Sequence, residues 1–518
     1  MDKKDISKAT ASQANQGLTP CFKTPIGYND NTYLGKLCRE GLLRRYGIKD
    51  VTKPKGAREK TVIDRLNSEL KLIEQTCLAS QFLIVWDIVT VNRKKNVYIG
   101  PGHGAEAGSL VCYLIGISDI DPFKYRLFME RFVNPERLYM LSFILNSCKD
   151  GHYAIIDYVK DKYGRDKTAS LFTAYDRDLI TTIRDIGNAQ RVPAKKINHI
   201  LSIIQEATAD YSQFSPQKLK ALYHELSSNP AAKNIMDSVY IIEELCRGSG
   251  FDFSYIVIGN EPLHKKIPVG ITHTGDLIAL SKSVEFMGFI NLYIGGSKFL
   301  TTINRILQIL KNKGVRLNIE LIPLNDPETF KVINNENAFG VFQYENDWNN
   351  LVSRISPDRF ELLFPCAALG LPGPARFSDK YIARKTGKIK IHYDHPLLEP
   401  ILSETYGMFI YQEQLMEAVH MLAGYTLGQG DLFRRILYKK HSDDIQQQRT
   451  KFIAGCRQTN NIPGRTANKL FNNMYKIAGY LYNKAHAVCC STIAYQMAYL
   501  KAHYPQEFKQ AEEIDKIA

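Results

Sequence analysis

The sequence predicts an α+β protein in which helix dominates. Apolar residues first recur at helical spacing, with Leu66, Leu70, Ile73 and Cys77 at i, i+4, i+7 and i+11. Short β-prone runs, Val97-Tyr98-Ile99 and Tyr255-Ile-Val-Ile258, interrupt the helical pattern. From about 300 to 512 the chain reads as many short helices divided by Pro- and Gly-containing turns.

In chain order, residues 1–30 are polar and read as a flexible tail. The run at 82–91, FLIVWDIVTV, reads as a buried element. After Val97-Tyr98-Ile99 comes a glycine loop over 100–108 and an apolar helix through Ile115. From about 155 to 245 the signal is mostly helical and more polar, and 513–518 form a short tail. No internal repeat or low-complexity segment is present.

At 518 residues, 44% hydrophobic and 23% charged, the composition is that of a globular protein of several domains. Lys and Arg number 67 against 53 Asp and Glu, for a net charge of +14. That excess suits a polyanionic partner, nucleic acid before anionic membrane. Ten cysteines lie scattered without C-x-x-C spacing, which disfavours a zinc site or a disulfide framework and fits a reducing compartment. With no apolar signal core and no run of 18 apolar residues, the expectation is a cytoplasmic protein without a membrane partner.

The segment with the most chemical content is Gly100-Pro-Gly-His-Gly-Ala-Glu-Ala-Gly-Ser109. A strand running into a glycine-rich turn and then a helix exposes backbone N–H groups and a positive helix end, which is a phosphate cradle. Alone, such a loop is weak evidence, because most are simply tight turns. Around it, in order, lie Gln81-Phe-Leu-Ile-Val-Trp-Asp87, Gly116-Ile-Ser-Asp-Ile-Asp-Pro122 and Glu130-Arg-Phe-Val-Asn-Pro-Glu-Arg137. This series resembles the palm of the C-family replicative polymerases, the alpha subunits of bacterial DNA polymerase III.

The resemblance continues through Gly340-Val-Phe-Gln-Tyr-Glu345, Ser356-Pro-Asp-Arg-Phe360, Ala368-Leu-Gly-Leu-Pro-Gly-Pro374, Leu422-Ala-Gly-Tyr-Thr-Leu-Gly428 and Arg434-Arg-Ile-Leu-Tyr-Lys-Lys440. It ends with Ile477-Ala-Gly-Tyr-Leu-Tyr-Asn-Lys-Ala-His486 and Tyr499-Leu-Lys-Ala-His-Tyr-Pro505. It implies a nucleotidyltransferase-like palm at about 31–175 and 251–303, a helical thumb at about 176–250 and helical fingers at about 304–512. The family's N-terminal phosphoesterase-like domain and its regions beyond the fingers have no counterpart in these segments.

By the same resemblance, Gly102, Gly104, Ser109, Arg434, Arg435, Lys439, Lys440, Asn483, Lys484 and His486 fall on nucleotide- or phosphate-binding positions. Arg384 and Lys385 fall on DNA-contacting ones. The implied partners are primer–template DNA, a deoxynucleotide and other replication proteins.

The departures are as specific as the matches. Intact relatives hold Mg²⁺ with aspartates in a run after E-R-x-x, and those positions fall here on Ser142, Ile144 and Asn146. A further family aspartate falls on Tyr293, and the neighbouring lysine on Asn291, within Gly288-Phe-Ile-Asn-Leu-Tyr-Ile-Gly-Gly-Ser-Lys298. Two-metal phosphoryl transfer needs hard oxygen ligands, so no cofactor is expected to bind well here.

His103 stands in place of an arginine, Ala105 in place of a serine, and Glu106 adds a carboxylate to the cradle. A third family site is reduced to Arg247 and Gly250. Asp119 and Asp121 read as framework residues before Pro122, while Asp150 and Glu130 are the nearby acids that could stand in for a missing ligand. The expectation is a catalytically impaired, DNA-binding pseudo-polymerase. The alternatives are an active polymerase with non-standard metal ligands and an interaction subunit of a replication complex.

Overall fold

Asn29 starts the first helix, α1 (Asp30–Tyr46), with a reciprocal cap: its side chain accepts from the Thr32 N–H, and Thr32 Oγ1 accepts from the Asn29 N–H. Gly47 ends it in the left-handed region at φ 71°. The computed structural model to which this helix belongs describes residues 20–136, 141–175, 179–207, 233–235, 237–238, 248–280, 284, 289–335, 340–342, 348–371, 373–439 and 442–517. Two compact units are present: 1–169 with 254–267 and 284–518, and 170–253 with 268–283.

In the larger unit, α2 (Ala57–Gln75) buries Val62, Ile63, Leu66 and Ile73. Leu70 is only partly buried, and Cys77 lies beyond the helix end, exposed, with φ 55°. The predicted stripe therefore stops at Ile73. The apolar run forms α3 (Ala79–Lys94) and buries Phe82, Leu83, Ile84, Val85, Ile88 and Val89. Ser80 on α3 accepts from the Phe22 N–H and donates to the Pro20 carbonyl. Residues 20–22 are thereby fixed to the body, although they fall in the expected tail.

The apolar helix after the glycine loop is α4 (Leu110–Ile115). A Cβ on Gly41 would come within 2.3 Å of the Leu114 carbonyl oxygen, so only glycine permits this approach of α1 to α4. Val97-Tyr98-Ile99 does not form the expected strand: its ladder contact is one bridge, Ile99 to Ser147.

The sheet of this unit contains β1 (Ser142–Cys148), which leads into α5 (Lys149–Tyr163). The range expected to be helical also holds a strand, β2 (Thr168–Tyr175), which passes into the smaller unit. There α6 (Leu179–Ala189) packs on α7 (Ala194–Ala207), and Gly187 lies where a Cβ would meet Ile197 Cδ1 at 2.7 Å. β3 (Gly248–Ile258) returns to the larger unit, and β4 (Val269–Ile271) pairs antiparallel with β5 (Leu277–Leu280), which pairs parallel with β2. Finally β6 (Ile290–Ser297) runs parallel to β1 and antiparallel to β3, and α8 (Lys298–Asn312) follows.

The rest of the larger unit is helical: α9 (Pro327–Ile333), α10 (Trp348–Ile355), α11 (Leu363–Leu369), α12 (Ser378–Lys385), α13 (Gln412–Ala423), α14 (Leu427–Lys439), α15 (Ser442–Asn460), α16 (Gly464–Ile477), α17 (Lys484–His503) and α18 (Pro505–Ile517). One core joins α8 to α9, α11 and α17 through Leu300, Ile306, Phe330, Phe364 and Tyr495. Another gathers α13 to α16 around Leu415, Phe433, Phe452 and Phe471. Mixed sheet and abundant helix make the fold α+β, mostly helical, as the sequence predicts.

Candidate nucleotide and metal site

Alternation along β1 buries Phe143 and Leu145 and leaves Ser142, Ile144 and Asn146 half-exposed on the opposite face. On β6, Leu292 and Ile294 are buried, while Asn291 and Tyr293 stay half-exposed. The parallel register sets Ser142 beside Asn291 and Ile144 beside Tyr293. β3 adds Tyr255 opposite Tyr293, with ring centroids 4.7 Å apart. Two segments far apart in sequence, matched separately to the family's metal-binding runs, thus converge on one face of one sheet.

The donors on that face are a hydroxyl, two carboxamides and two phenols, with an alkyl chain between them. Divalent magnesium requires charged oxygen ligands in near-octahedral array, and this set does not fit it. Among the described residues no group of three His, Cys, Asp or Glu side chains is arranged to hold a metal ion. Asp150, at the start of α5, lies 3.5 Å from Arg305. Glu130 is largely buried, and that burial raises its carboxyl above the usual range.

In the glycine loop the backbone N–H groups meet the chain's own carboxylates. Glu106 is 1% exposed, and its Oε1 accepts from the backbone N–H groups of His103 (3.0 Å) and Gly104 (2.7 Å). Burial raises its pKa, opposed by those two bonds. At the next turn Glu69, from α2, accepts from the N–H groups of Leu110 and Val111 and from Ser109 Oγ, each at 3.0 Å. Arg65 fixes this second carboxylate at 2.9 Å.

A carboxylate at a helix N-terminus satisfies the same N–H groups a phosphate would use. Around Gly102, Gly104 and Ser109, the N–H groups of His103, Gly104, Leu110 and Val111 therefore bond the chain's own carboxylates. Ser109, fully buried, also accepts from the Cys112 N–H as the cap of α4. Gly102, at φ 139°, lies where a Cβ would crowd Cys489 Sγ and Ser118 Oγ, both at 3.1 Å.

His103 joins this loop to α17. Its ring packs edge-on against His486 at 4.6 Å, and His486 Nδ1 donates to the His103 carbonyl. Asn146 Nδ2 lies 3.5 Å from His103 Nδ1. Burial, reinforced by His486, pushes His103 down to about 4, and burial also lowers His486. Both imidazoles are therefore neutral at pH 7. Asn483 caps α17 by accepting from the His486 N–H.

Most of the basic residues matched to phosphate and DNA contacts have internal partners. Lys484 is 3% exposed and donates to both Glu404 oxygens, at 2.9 and 2.8 Å. Arg434 is 7% exposed and holds Asp431 Oδ1 through Nε and Nη2, while Arg435 Nε donates to the other oxygen at 3.1 Å. Asp431 is fully buried. Arg384 donates Nη1 to the Tyr406 and Gly407 carbonyls at 3.0 and 2.9 Å.

Lys484, Arg434 and Arg384 thus each have a partner within the protein. Lys385, at the end of α12, is half-buried. The Lys439 side chain, Lys440 and Arg247 lie outside the described residues. Asp119 bridges Arg45 and Arg93 at 2.8 and 2.9 Å, and Asp121 accepts from the Phe123 N–H across Pro122 and from the Tyr46 hydroxyl. Both are framework acids. Sequence reasoning missed Glu69, Glu404 and Asp431, whose only signal was an acid within an amphipathic segment.

The larger unit thus combines a glycine loop entering a helix, the paired parallel strands β1 and β6, and a long series of helices. The family model for the bacterial DNA polymerase III alpha NTPase domain matches residues 32–288, and that for the bacterial DNA polymerase III alpha subunit finger domain matches 299–460. The DNA polymerase III subunit alpha of Halalkalibacterium halodurans is 35% identical over 501 residues, 95% of this chain and 44% of the relative. That of Chlamydia trachomatis is 33% identical over 505 residues, covering 94% and 40%, and that of Aquifex aeolicus is 32% identical over 520, covering 95% and 44%. The chain belongs to the DNA polymerase III alpha subunit family, and it spans less than half the length of these relatives.

Proposed function

We propose that this chain is a polymerase-derived core that holds primed DNA and does not extend it. The observation that carries the reading is the β1–β6 face, where Ser142, Ile144, Asn146 and Tyr293, which the resemblance sets on the family's ligand positions, bring no carboxylate. Without cations on the attacking and leaving oxygens, phosphoryl transfer loses its main electrostatic stabilisation. The filled loop supports the same conclusion, because Glu106 and Glu69 already satisfy N–H groups that a triphosphate would need. A net charge of +14 supports binding to a polyanion. The cytoplasmic setting belongs to the proposal and rests on buried thiols such as Cys38, Cys366 and Cys456 that form no disulfide.

Primer extension with Mg²⁺ or Mn²⁺ tests the catalytic half of this reading. The expected result is binding of the primer–template without templated incorporation. Incorporation that disappears in D150N or E130Q would establish non-standard ligands and reject the proposal.

A second reading, an interaction subunit of a replication complex, is favoured by one observation: Arg434, Lys484 and Arg384 are bound within the protein. Salt dependence separates the two. DNA binding through phosphates gives a negative slope of log affinity against log salt, whereas a slope near zero selects the interaction reading.

A further inference from the structure

Among the described residues two cysteines are exposed, Cys21 and Cys77, and the others are buried. They are far apart in sequence, yet both lie beside Ser80 in the first turn of α3. The Ser80 hydroxyl bonds the chain on either side of Cys21: it accepts from the Phe22 N–H at 2.6 Å and donates to the Pro20 carbonyl at 3.0 Å. Those two bonds hold the Cys21 Cα within about 7 Å of the Ser80 Cα.

Cys77 stands in the turn between α2 and α3, with φ 55°. Its N–H donates to the Glu74 carbonyl and that of Leu78 to the Ile73 carbonyl, both at 3.0 Å. Leu78 is already near-helical, at φ −98° and ψ −5°, so Cys77 lies one helical turn before Ser80, with Cα atoms roughly 5–6 Å apart. A helical side chain leans towards the N-terminus and covers the turn before its own Cα. The Ser80 hydroxyl therefore reaches back over the turn that holds Cys77, and Cys21 hangs on that hydroxyl.

We infer that Cys21 and Cys77 are a modification site, joined as an intramolecular disulfide by a low-molecular-weight disulfide such as oxidised glutathione. One thiolate attacks the glutathione disulfide, forming a mixed disulfide and releasing one glutathione; the second thiolate attacks the protein-bound sulfur, forming the Cys21–Cys77 bond and releasing the other. The two thiols lose two protons and two electrons, and those electrons reduce oxidised glutathione to two molecules of glutathione. A disulfide spans Cα atoms about 4.4–6.8 Å apart, the scale on which both cysteines stand from Ser80. The bond ties the segment at 20–22 covalently to the α2–α3 turn and encloses α1 and α2 in one loop. In a reducing compartment such a bond is transient and responds to oxidation. The inference goes beyond the primed-DNA reading and stands without it, since neither the β1–β6 face nor the glycine loop takes part.

Treatment of the native full chain with oxidised glutathione, alkylation of the remaining thiols and mass spectrometry test it. The wild type is expected to lose two hydrogens, keep no glutathione and yield a peptide pair joined through Cys21 and Cys77. C21S and C77S are each expected to stop at the mixed disulfide and gain one glutathionyl group. A wild type that keeps glutathione on Cys21 or Cys77, or in which both remain free for alkylation, overturns the inference. The same treatment in denaturant is expected to scatter links over other cysteine pairs. A Cys21–Cys77 link no more frequent in the native chain than in the denatured one overturns the inference as well, because the fold then does not select the pair.

Discussion

Ile144 on β1 and Tyr293 on β6 are direct neighbours in a parallel ladder. The face on which they meet also carries Ser142, Asn146 and Asn291 at half exposure. The opposite face of the same strands buries Phe143, Leu145, Leu292 and Ile294. The face without carboxylates is thus the opposite one from the apolar side that packs into the core.

Restoring the acids tests that separation. S142D/I144D/N146D/Y293D clusters four carboxylates, so the metal-free variant should unfold at lower temperature than wild type through like-charge repulsion. Millimolar Mn²⁺ should raise its unfolding temperature and leave that of the wild type unchanged, because only a ligand that binds the native state stabilises it. Thermal scans with and without Mn²⁺ check this; equal shifts for both proteins would show that the face does not set metal affinity.

Glu106 provides the next prediction. E106A leaves the His103 and Gly104 N–H groups without an acceptor in a buried loop, a loss of about 1–3 kcal/mol. E106Q retains an acceptor oxygen and should lose less. If the carboxylate occupies an anion cradle, inorganic phosphate should recover stability in E106A more than in wild type. Denaturant midpoints with phosphate and with chloride at matched ionic strength distinguish the two.

Much of this arrangement is written locally, and the rest is not. Leu66 and Ile73 announce their helix by spacing, and the glycine loop announces the turn into α4. Family motifs singled out Ser142, Ile144, Asn146 and Tyr293 in two distant segments, but not the parallel pairing of the strands that carry them. The contacts of Glu106 and Glu69 were less legible. Glu106 is visible in the loop, but its inward fold onto two N–H groups is a matter of side-chain placement. Glu69 acts across 40 residues, and nothing in its own helix marks it as the cap of another.

The partners of Lys484 and Arg434 were hidden for the same reason, since a motif specifies a cation but not the carboxylate that folding brings beside it. The strand β2 was missed because Thr168-Ala-Ser-Leu-Phe-Thr-Ala-Tyr175 lacks a β-branched run, and ladder pairing outweighs such weak propensity.

Asp431 is the acid on which the Arg434 and Arg435 contacts converge. D431N keeps the shape and removes the charge, leaving Arg434 buried without its counter-ion. The expected loss is about 3–5 kcal/mol in chemical denaturation. R435A, at a side chain 34% exposed, should cost about 1 kcal/mol or less. A D431N variant as stable as wild type would mean that the Arg434 charge is neutralised elsewhere.

The neutral histidine pair sets a pH dependence whose sign follows from burial. His103 titrates near 4 in the folded chain, below the ordinary histidine value of about 6.5 that it regains on unfolding. Below that ordinary value the unfolded state takes up the proton first, so stability falls as pH drops from about 6.5 towards 4. Glu106 acts in the opposite sense, because burial raises its pKa and the folded state binds its proton more readily. H103N should therefore flatten the decline in unfolding temperature between pH 6.5 and 4.5, and E106Q should steepen it. An H103N profile that runs parallel to wild type over that interval would place the acid sensitivity elsewhere than at the contact between the loop and α17.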